Sequence, residues 1–137
     1  MLFENIRSAT KNNVVIQVNH PRWVIADYFN TKGLDVYFGN VAKEKEWSWD
    51  FDTYEVLNEN YQLGWTTAPG NLQSVKQDWF NMMNRGLRKT GIGNSDSHTV
   101  ISSIAGVPRS YILSSTDVPS DIDEKEIAKN IKAQRVT

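Results

Sequence analysis

The chain has 137 residues, contains no cysteine and carries a formal net charge of −1. Its length is that of one domain, the lack of cysteine excludes disulfides and thiolate metal sites, and the charge gives no footprint for nucleic acid or an anionic membrane. No stretch approaches the roughly 20 apolar residues of a membrane span. Glu4, Arg7 and Lys11 interrupt the first segment, which is therefore unlike a signal peptide. We expect one soluble domain over residues 1–137, in a compartment that the sequence leaves open.

The first half of the chain predicts a helix and two strands. Apolar residues at helical spacing predict a short helix from Leu2 to Lys11. The β-branched run Val14 to Val18 predicts a buried strand, which Pro21 ends while favouring an extended backbone at His20. Phe51 to Leu57 predicts a second strand. Residues 23–50 between them show no clear periodicity, and their tryptophans suit loop packing, a substrate wall or a partner surface equally well.

The next helix is the best specified element. Ser74 and Gln77 match a capping box at its start, and Gly86 stands where a left-handed C-cap is needed. Its apolar stripe comprises Val75, Trp79, Met82 and Met83. A loop is predicted before it, over Thr66 to Asn71, where Pro69 and Gly70 adjoin.

The last part of the chain continues the alternation of strand and helix. Leu87 to Ile92 and Arg109 to Leu113 predict strands, and Asp121 with Glu124 predicts the start of a final helix. Its apolar stripe is Ile127, Ala128 and Ile131. This order predicts α/β units around a mainly parallel sheet or barrel wall.

Both histidines of the chain follow predicted strands. His20 comes after the first strand, and Asp96 and His98 come after the third. Ligands bind at the carboxyl ends of such strands, and residues two apart in extended backbone point to one side. Imidazole with carboxylate suits zinc, manganese or iron(II). The alternative is that each histidine is a hydrogen-bonded structural residue, and spacing alone does not exclude it.

Several motifs in order along the chain resemble the later motifs of the polymerase-and-histidinol-phosphatase (PHP) superfamily, in particular its CehA/McbA-like branch. They are Asn19-His20-Pro21-Arg22, Glu55-Val56-Leu57-Asn58, Asn84-Arg85-Gly86-Leu87, Gly93-Asn94-Ser95-Asp96-Ser97-His98 and Gly106-Val107-Pro108-Arg109. The Gly-Asn-Ser-Asp-Ser-His stretch downstream of Asn-His-Pro is the most specific part of the resemblance.

The resemblance implies a distorted α/β barrel with divalent metal ions at its carboxyl mouth. It implies that His20, Asp96 and His98 are metal ligands. The superfamily's opening His-x-His motif and its next ligands have no counterpart in this chain. We therefore expect the C-terminal part of a larger PHP-type catalytic domain, with an incomplete metal site and little activity of its own.

Two arginines and two strand-end residues are further candidates. Arg22 and Arg109 suit an anionic small-molecule substrate, because a guanidinium binds phosphate or carboxylate through two parallel hydrogen bonds. Each of them equally suits an arginine paired with an acid at the surface or core rim. Glu55 and Asn58 suit the orientation of metal ligands or a contact with substrate, with solvated strand-end residues as the alternative.

These features favour a metal-dependent hydrolase that acts on phosphoesters or related esters such as carbamates. The alternative from another class is a non-catalytic binding or interaction domain derived from a PHP-like barrel. A barrel cut open exposes a strand edge and apolar surface. We therefore expect a homodimer, with Val14 to Val18 and Tyr111 to Leu113 as candidate edges, and neither nucleic acid nor membrane as a partner.

Overall fold

The structure is a computed structural model that describes residues 2–22, 28–35, 40–58, 75–101 and 104–137. Helices and strands follow one another along the chain, and a short helix and two short strands lie within residues 23–50, where the sequence shows no clear periodicity. The helices are α1 (Leu2–Ala9), α2 (Tyr28–Lys32), α3 (Val75–Asn84) and α4 (Glu124–Lys132). The strands are β1 (Gln17–Val18), β2 (Leu34–Asp35), β3 (Asn40–Val41), β4 (Thr53–Asn58) and β5 (Thr90–Asn94). Single 3-10 turns cover Glu44–Glu46 and Pro119–Asp121.

The main sheet has the order β1-β4-β5, and both of its strand pairings are parallel. A separate antiparallel pair joins β2 to β3. The prediction of an α/β fold with a mainly parallel sheet is therefore confirmed. Across the described ranges the sheet does not close into a barrel.

Strand β1 is shorter than the predicted run Val14 to Val18. An aspartate side chain replaces strand pairing at its start, because the Ile16 N–H donates to Asp52 Oδ2 at 2.8 Å. The Ile16 carbonyl still accepts from the backbone of Thr53 at 3.1 Å, which fixes the register of β1 on β4. The strand ends before Pro21, as predicted.

An aromatic cluster forms the centre of the core. Phe29, Tyr54 and Phe51 are fully or almost fully buried. Trp47 is buried as well and stacks on Tyr28, with 4.5 Å between the ring centroids. The sequence left loop packing, a substrate wall and a partner surface open for this tryptophan. Its burial shows that Trp47 packs the irregular segment before β4 onto the core. Trp23 and Trp65 lie outside the described residues.

Helix α3 ends as the sequence predicts. Gly86 has a φ of +77°, and the Leu87 N–H donates to the Met82 carbonyl at 2.9 Å, which satisfies the end of the helix. The predicted apolar stripe is only partly right, because Met83 is exposed. Ser74 and the predicted loop from 66 to 71 lie outside the described residues.

Two predictions for the last part of the chain are wrong in detail. Arg109 to Leu113 is not a strand of the sheet; it forms one antiparallel bridge, from Ile112 to Val136, at the end of the chain. The final helix begins at Glu124 rather than at Asp121, because the Asp123 side chain accepts from the Lys125 N–H and caps it. None of the helices seen in the described parts of the chain has the length and apolarity to cross a membrane.

Candidate functional site

The carboxyl ends of the three parallel strands bring polar residues together at one edge of the sheet. His20 follows β1, Asn58 ends β4, and Asp96 follows β5. A bulge in β4 between Glu55 and Leu57 shapes this edge. In regular strand alternation Glu55 and Asn58 would face opposite sides. The extra residue brings them together instead, and Asn58 Nδ2 donates to Glu55 Oε1 at 3.2 Å.

The Glu55 carboxylate is the centre of the hydrogen bonds at this edge. Its side chain is only 3% exposed. Oε2 accepts from the backbone N–H of His20 at 2.7 Å, and Oε1 accepts from Asn94 Nδ2 at 2.9 Å and from Asn58 Nδ2. One buried carboxylate thus joins the loop after β1 to the ends of β4 and β5. Glu55 and Asn58 are therefore buried and bonded, and not solvated strand-end residues.

This carboxylate also fixes the His20 ring. His20 Nδ1 lies 2.9 Å from Glu55 Oε2 and 3.2 Å from Asn58 Nδ2. Because the contact with the buried carboxylate is the shorter one, we assign the ring proton to Nδ1, from which it is donated to Glu55. In that tautomer the other ring nitrogen, Nε2, is the one that carries a lone pair, and it lies 3.7 Å from Asp96 Oδ2. A carboxylate behind a histidine in this way is the arrangement that orients histidine ligands of metal ions.

The Asp96 carboxylate stands between the two imidazoles of the chain. Oδ2 faces His20, and Oδ1 lies 3.6 Å from His98 Nδ1. His98 Nδ1 also contacts the Asp96 backbone carbonyl. The His98 side chain is 74% exposed, against 32% for His20 and 27% for Asp96. The three residues predicted as metal ligands therefore lie together, with Asp96 as their common neighbour.

Two of these residues have a left-handed backbone, with φ of +46° at His20 and +49° at Asp96. The extended backbone predicted at His20 and at Asp96 is therefore wrong. At His20, the bond from its N–H to the buried Glu55 holds the strained conformation. At Asp96, the backbone carbonyl contacts the His98 ring. Lys11, Asn12 and Gln134, which lie away from this edge, also have a left-handed backbone, so this conformation alone does not identify a functional site.

The chemistry of these donors fits a divalent transition-metal ion, but their number is small. The 3.7 Å between His20 Nε2 and Asp96 Oδ2 is close to the roughly 3.4 Å edge of a tetrahedral zinc site with bonds of about 2.0–2.1 Å. In the ranges that the structure describes, no group of three or more His, Asp or Glu side chains is arranged to hold a metal ion. Within the described residues, His20 and Asp96 are therefore a pair of candidate donors that do not form a metal site by themselves.

Arg22 lies in the core. Its guanidinium binds Asp78 through two hydrogen bonds, Nε to Oδ2 at 2.5 Å and the terminal nitrogen to Oδ1 at 3.1 Å. It also donates to the Leu34 carbonyl at 3.0 Å and lies over the Phe29 ring. This position matches the alternative of an arginine paired with an acid. It does not favour a contact with substrate, because both members of the pair are buried.

Arg109 lies in a different environment. It is exposed and lines a cavity of 430 Å³ beside β5 together with Asp96 and Asn94. The segment that carries Arg109 is fixed to β5, because the Gly93 N–H donates to Ser110 Oγ at 2.9 Å. Of the two arginines that were predicted to bind substrate, Arg109 is the one whose position is compatible with that role.

Two residues at this site were not singled out from the sequence as functional. Asn94 has the sequence context of a turn residue, yet its side chain donates to Glu55. Its position beside Asp96, just after a predicted strand, could have identified it as a residue of the site. Ser110 was predicted to lie within a strand, and nothing in the sequence indicates that its hydroxyl accepts from Gly93.

Comparison of the chain with family models, with curated proteins and with solved structures finds no match.

Proposed function

We propose that this chain carries part of the active site of a metal-dependent hydrolase of the PHP type, within a barrel that longer sequence would complete. The observation that supports the proposal most is His20, fixed through Nδ1 by the buried Glu55 and presenting Nε2 toward Asp96. In this proposal His20, Asp96 and His98 would hold zinc, manganese or iron(II), with other ligands completing the site.

Each residue at the edge has a separate task in the proposed reaction. A bound divalent ion would lower the pKa of a water molecule and polarise the scissile ester. Glu55 keeps the proton on His20 Nδ1, so that Nε2 remains a lone-pair donor. Arg109 orients the anionic part of the substrate from the adjoining cavity. Phosphoesters are the leading substrates and carbamates or other esters a variant, both by resemblance to the superfamily.

Calorimetric titration of the chain with Mn²⁺ and Zn²⁺ tests the metal site. We expect weak binding of one ion, with affinity lowered about tenfold or more by Asp96→Asn. Asp117→Asn, which changes an exposed carboxylate distant in sequence, serves as the control and leaves the affinity unchanged. Absence of binding, or equal binding by both variants, would contradict the metal site and favour the non-catalytic binding domain.

Turnover gives a second readout. We expect the chain alone to hydrolyse phosphomonoesters and phosphodiesters little or not at all with added Mn²⁺ or Zn²⁺, because its ligand set is incomplete. Rapid turnover that Asp96→Ala abolishes would support the hydrolase and show that the site needs no further ligands.

A further inference from the structure

The cavity that Arg109 lines contains both charged and apolar groups. Arg109 provides its positive charge, and Asp96 provides a carboxylate on the same lining. Asn94, Ser110 and Gln17 contribute amides and a hydroxyl. The cavity is a shallow pocket that is largely open to solvent, with a volume of 430 Å³ that is within the roughly 300–1,000 Å³ of small-molecule sites.

Apolar side chains form the rest of the lining, from three different parts of the chain. Ile92 lies on β5, Ile112 on the segment that follows Arg109, and Ile131 on α4. A ligand that fills the cavity must therefore carry an apolar group beside its polar one. Inorganic phosphate would leave the isoleucine surface in contact with water.

The charges of the lining limit the charge of the ligand. The described residues make no hydrogen bond or ion pair with the Arg109 guanidinium, whereas Arg7 binds Asp50 and Asp52 and Arg22 binds Asp78. One guanidinium satisfies one oxyanion through paired hydrogen bonds. Without a bound cation, the Asp96 carboxylate repels a second negative charge in the same cavity.

We propose that this cavity is the substrate subsite and that it takes a singly charged oxyanion ester with an apolar substituent, such as an aryl phosphodiester. The assignment of the cavity to substrate rests on the proposed hydrolase function. The preference for a singly charged ligand follows from the charges of Arg109 and Asp96, and the preference for an apolar substituent follows from the three isoleucines. Neither preference requires a bound metal ion.

Calorimetry in excess chelator, with three phosphate esters that differ in charge, tests the proposal. The probes are dimethyl phenyl phosphate (neutral), methyl phenyl phosphate (one negative charge) and phenyl phosphate (two negative charges at about pH 8). We expect methyl phenyl phosphate to bind best, and Arg109→Gln to weaken it about tenfold or more. Arg88→Gln, which changes an exposed arginine outside the cavity, leaves binding unchanged.

A phenylacetate arm shows whether a carboxylate monoanion binds as well as a phosphodiester. Binding of methyl phenyl phosphate through Arg109 supports the proposal, whereas binding of phenylacetate alone would overturn the assignment to an ester. Absence of binding, tighter binding of the doubly charged ester, or an equal effect of the two arginine variants would overturn it. Because no metal is present, failure here leaves the metal titration with Asp96→Asn as a separate test of the proposed function.

Discussion

The buried Glu55 carboxylate binds His20 twice, accepting from its backbone N–H at 2.7 Å and lying 2.9 Å from its ring Nδ1. The first contact sets the left-handed backbone of His20 and the second sets the direction of its ring. Asn58 and Asn94 hold the other oxygen of the same carboxylate. Glu55 is therefore the residue on which the geometry of the whole edge depends.

Glu55→Gln should destabilise the fold measurably. The amide that replaces one carboxylate oxygen would place an N–H group against existing donors and leave at least one of them unsatisfied. We expect a loss of about 1–3 kcal/mol in the free energy of unfolding, measured by urea denaturation. Glu44→Gln, at an exposed 3-10 turn, should change stability by less than about 0.5 kcal/mol. Equal stability of both variants and the parent would show that the Glu55 bonds contribute little.

The two arginine–aspartate pairs should differ strongly in their contribution to stability. Asp78→Ala leaves the buried Arg22 guanidinium without its counter-ion and should cost about 3–5 kcal/mol. Asp50→Ala removes a partner of Arg7 that is 46% exposed and should cost about 1 kcal/mol or less. Urea denaturation of both variants compares them directly. A loss of less than 1 kcal/mol for Asp78→Ala would mean that Arg22 is not held as the structure describes.

Burial raises the pKa of the Tyr54 hydroxyl well above its ordinary value, and Asp78 nearby adds to the effect. That hydroxyl has no hydrogen-bond partner of good geometry among the described residues. Above about pH 10 the unfolded tyrosine loses its proton while the folded one keeps it. The folded state then binds more protons, so this group makes stability fall as pH rises through that range.

Tyr54→Phe should therefore reduce the alkaline loss of stability without harm at neutral pH. Removal of a buried, unsatisfied hydroxyl is close to neutral or stabilising. Urea denaturation of parent and variant at pH 7 and above pH 10 gives both comparisons. A variant that is much less stable at pH 7, or one with the parent's alkaline slope, would contradict the environment described for Tyr54.

Self-association remains a prediction, and the exposed apolar residues provide a means to test it. Tyr111 and Leu113 are 66% and 55% exposed in a segment that bonds to residues 135–137. We expect light scattering at tens of micromolar to give about twice the monomer mass. Tyr111→Lys with Leu113→Lys should lower it, whereas Ile122→Lys, at another exposed apolar residue, should not. A monomeric parent chain would contradict the dimer.

The sequence predicted those elements whose patterns are local. Apolar periodicity identified α3, and a glycine at the right place predicted its left-handed cap at Gly86. The strand runs before Asn58 and Asn94 were predicted to within three residues at each end. These features follow from neighbours in the chain, so a single sequence is sufficient to predict them.

Long-range pairings explain what the sequence did not predict. Asp78 and Asn81 are polar residues on the buried side of α3. Asp78 is buried because Arg22, 56 residues earlier, meets it there. The run Arg109 to Leu113 has strand composition, yet it pairs antiparallel with the chain end and holds β5 through a serine hydroxyl. The periodicity of apolar residues does not indicate contacts between side chains that are far apart in the sequence.

Placement of a metal ion by NMR tests the central claim most directly. Substoichiometric Mn²⁺ broadens the signals of nuclei close to it, and the two histidine rings give separate ¹H–¹⁵N correlations. We predict that Mn²⁺ broadens the His20 and His98 rings and the amide of Asp96 first, and that Asp96→Asn abolishes this selectivity. Broadening that is spread over the surface, or that persists unchanged in Asp96→Asn, would contradict a metal site at His20, Asp96 and His98.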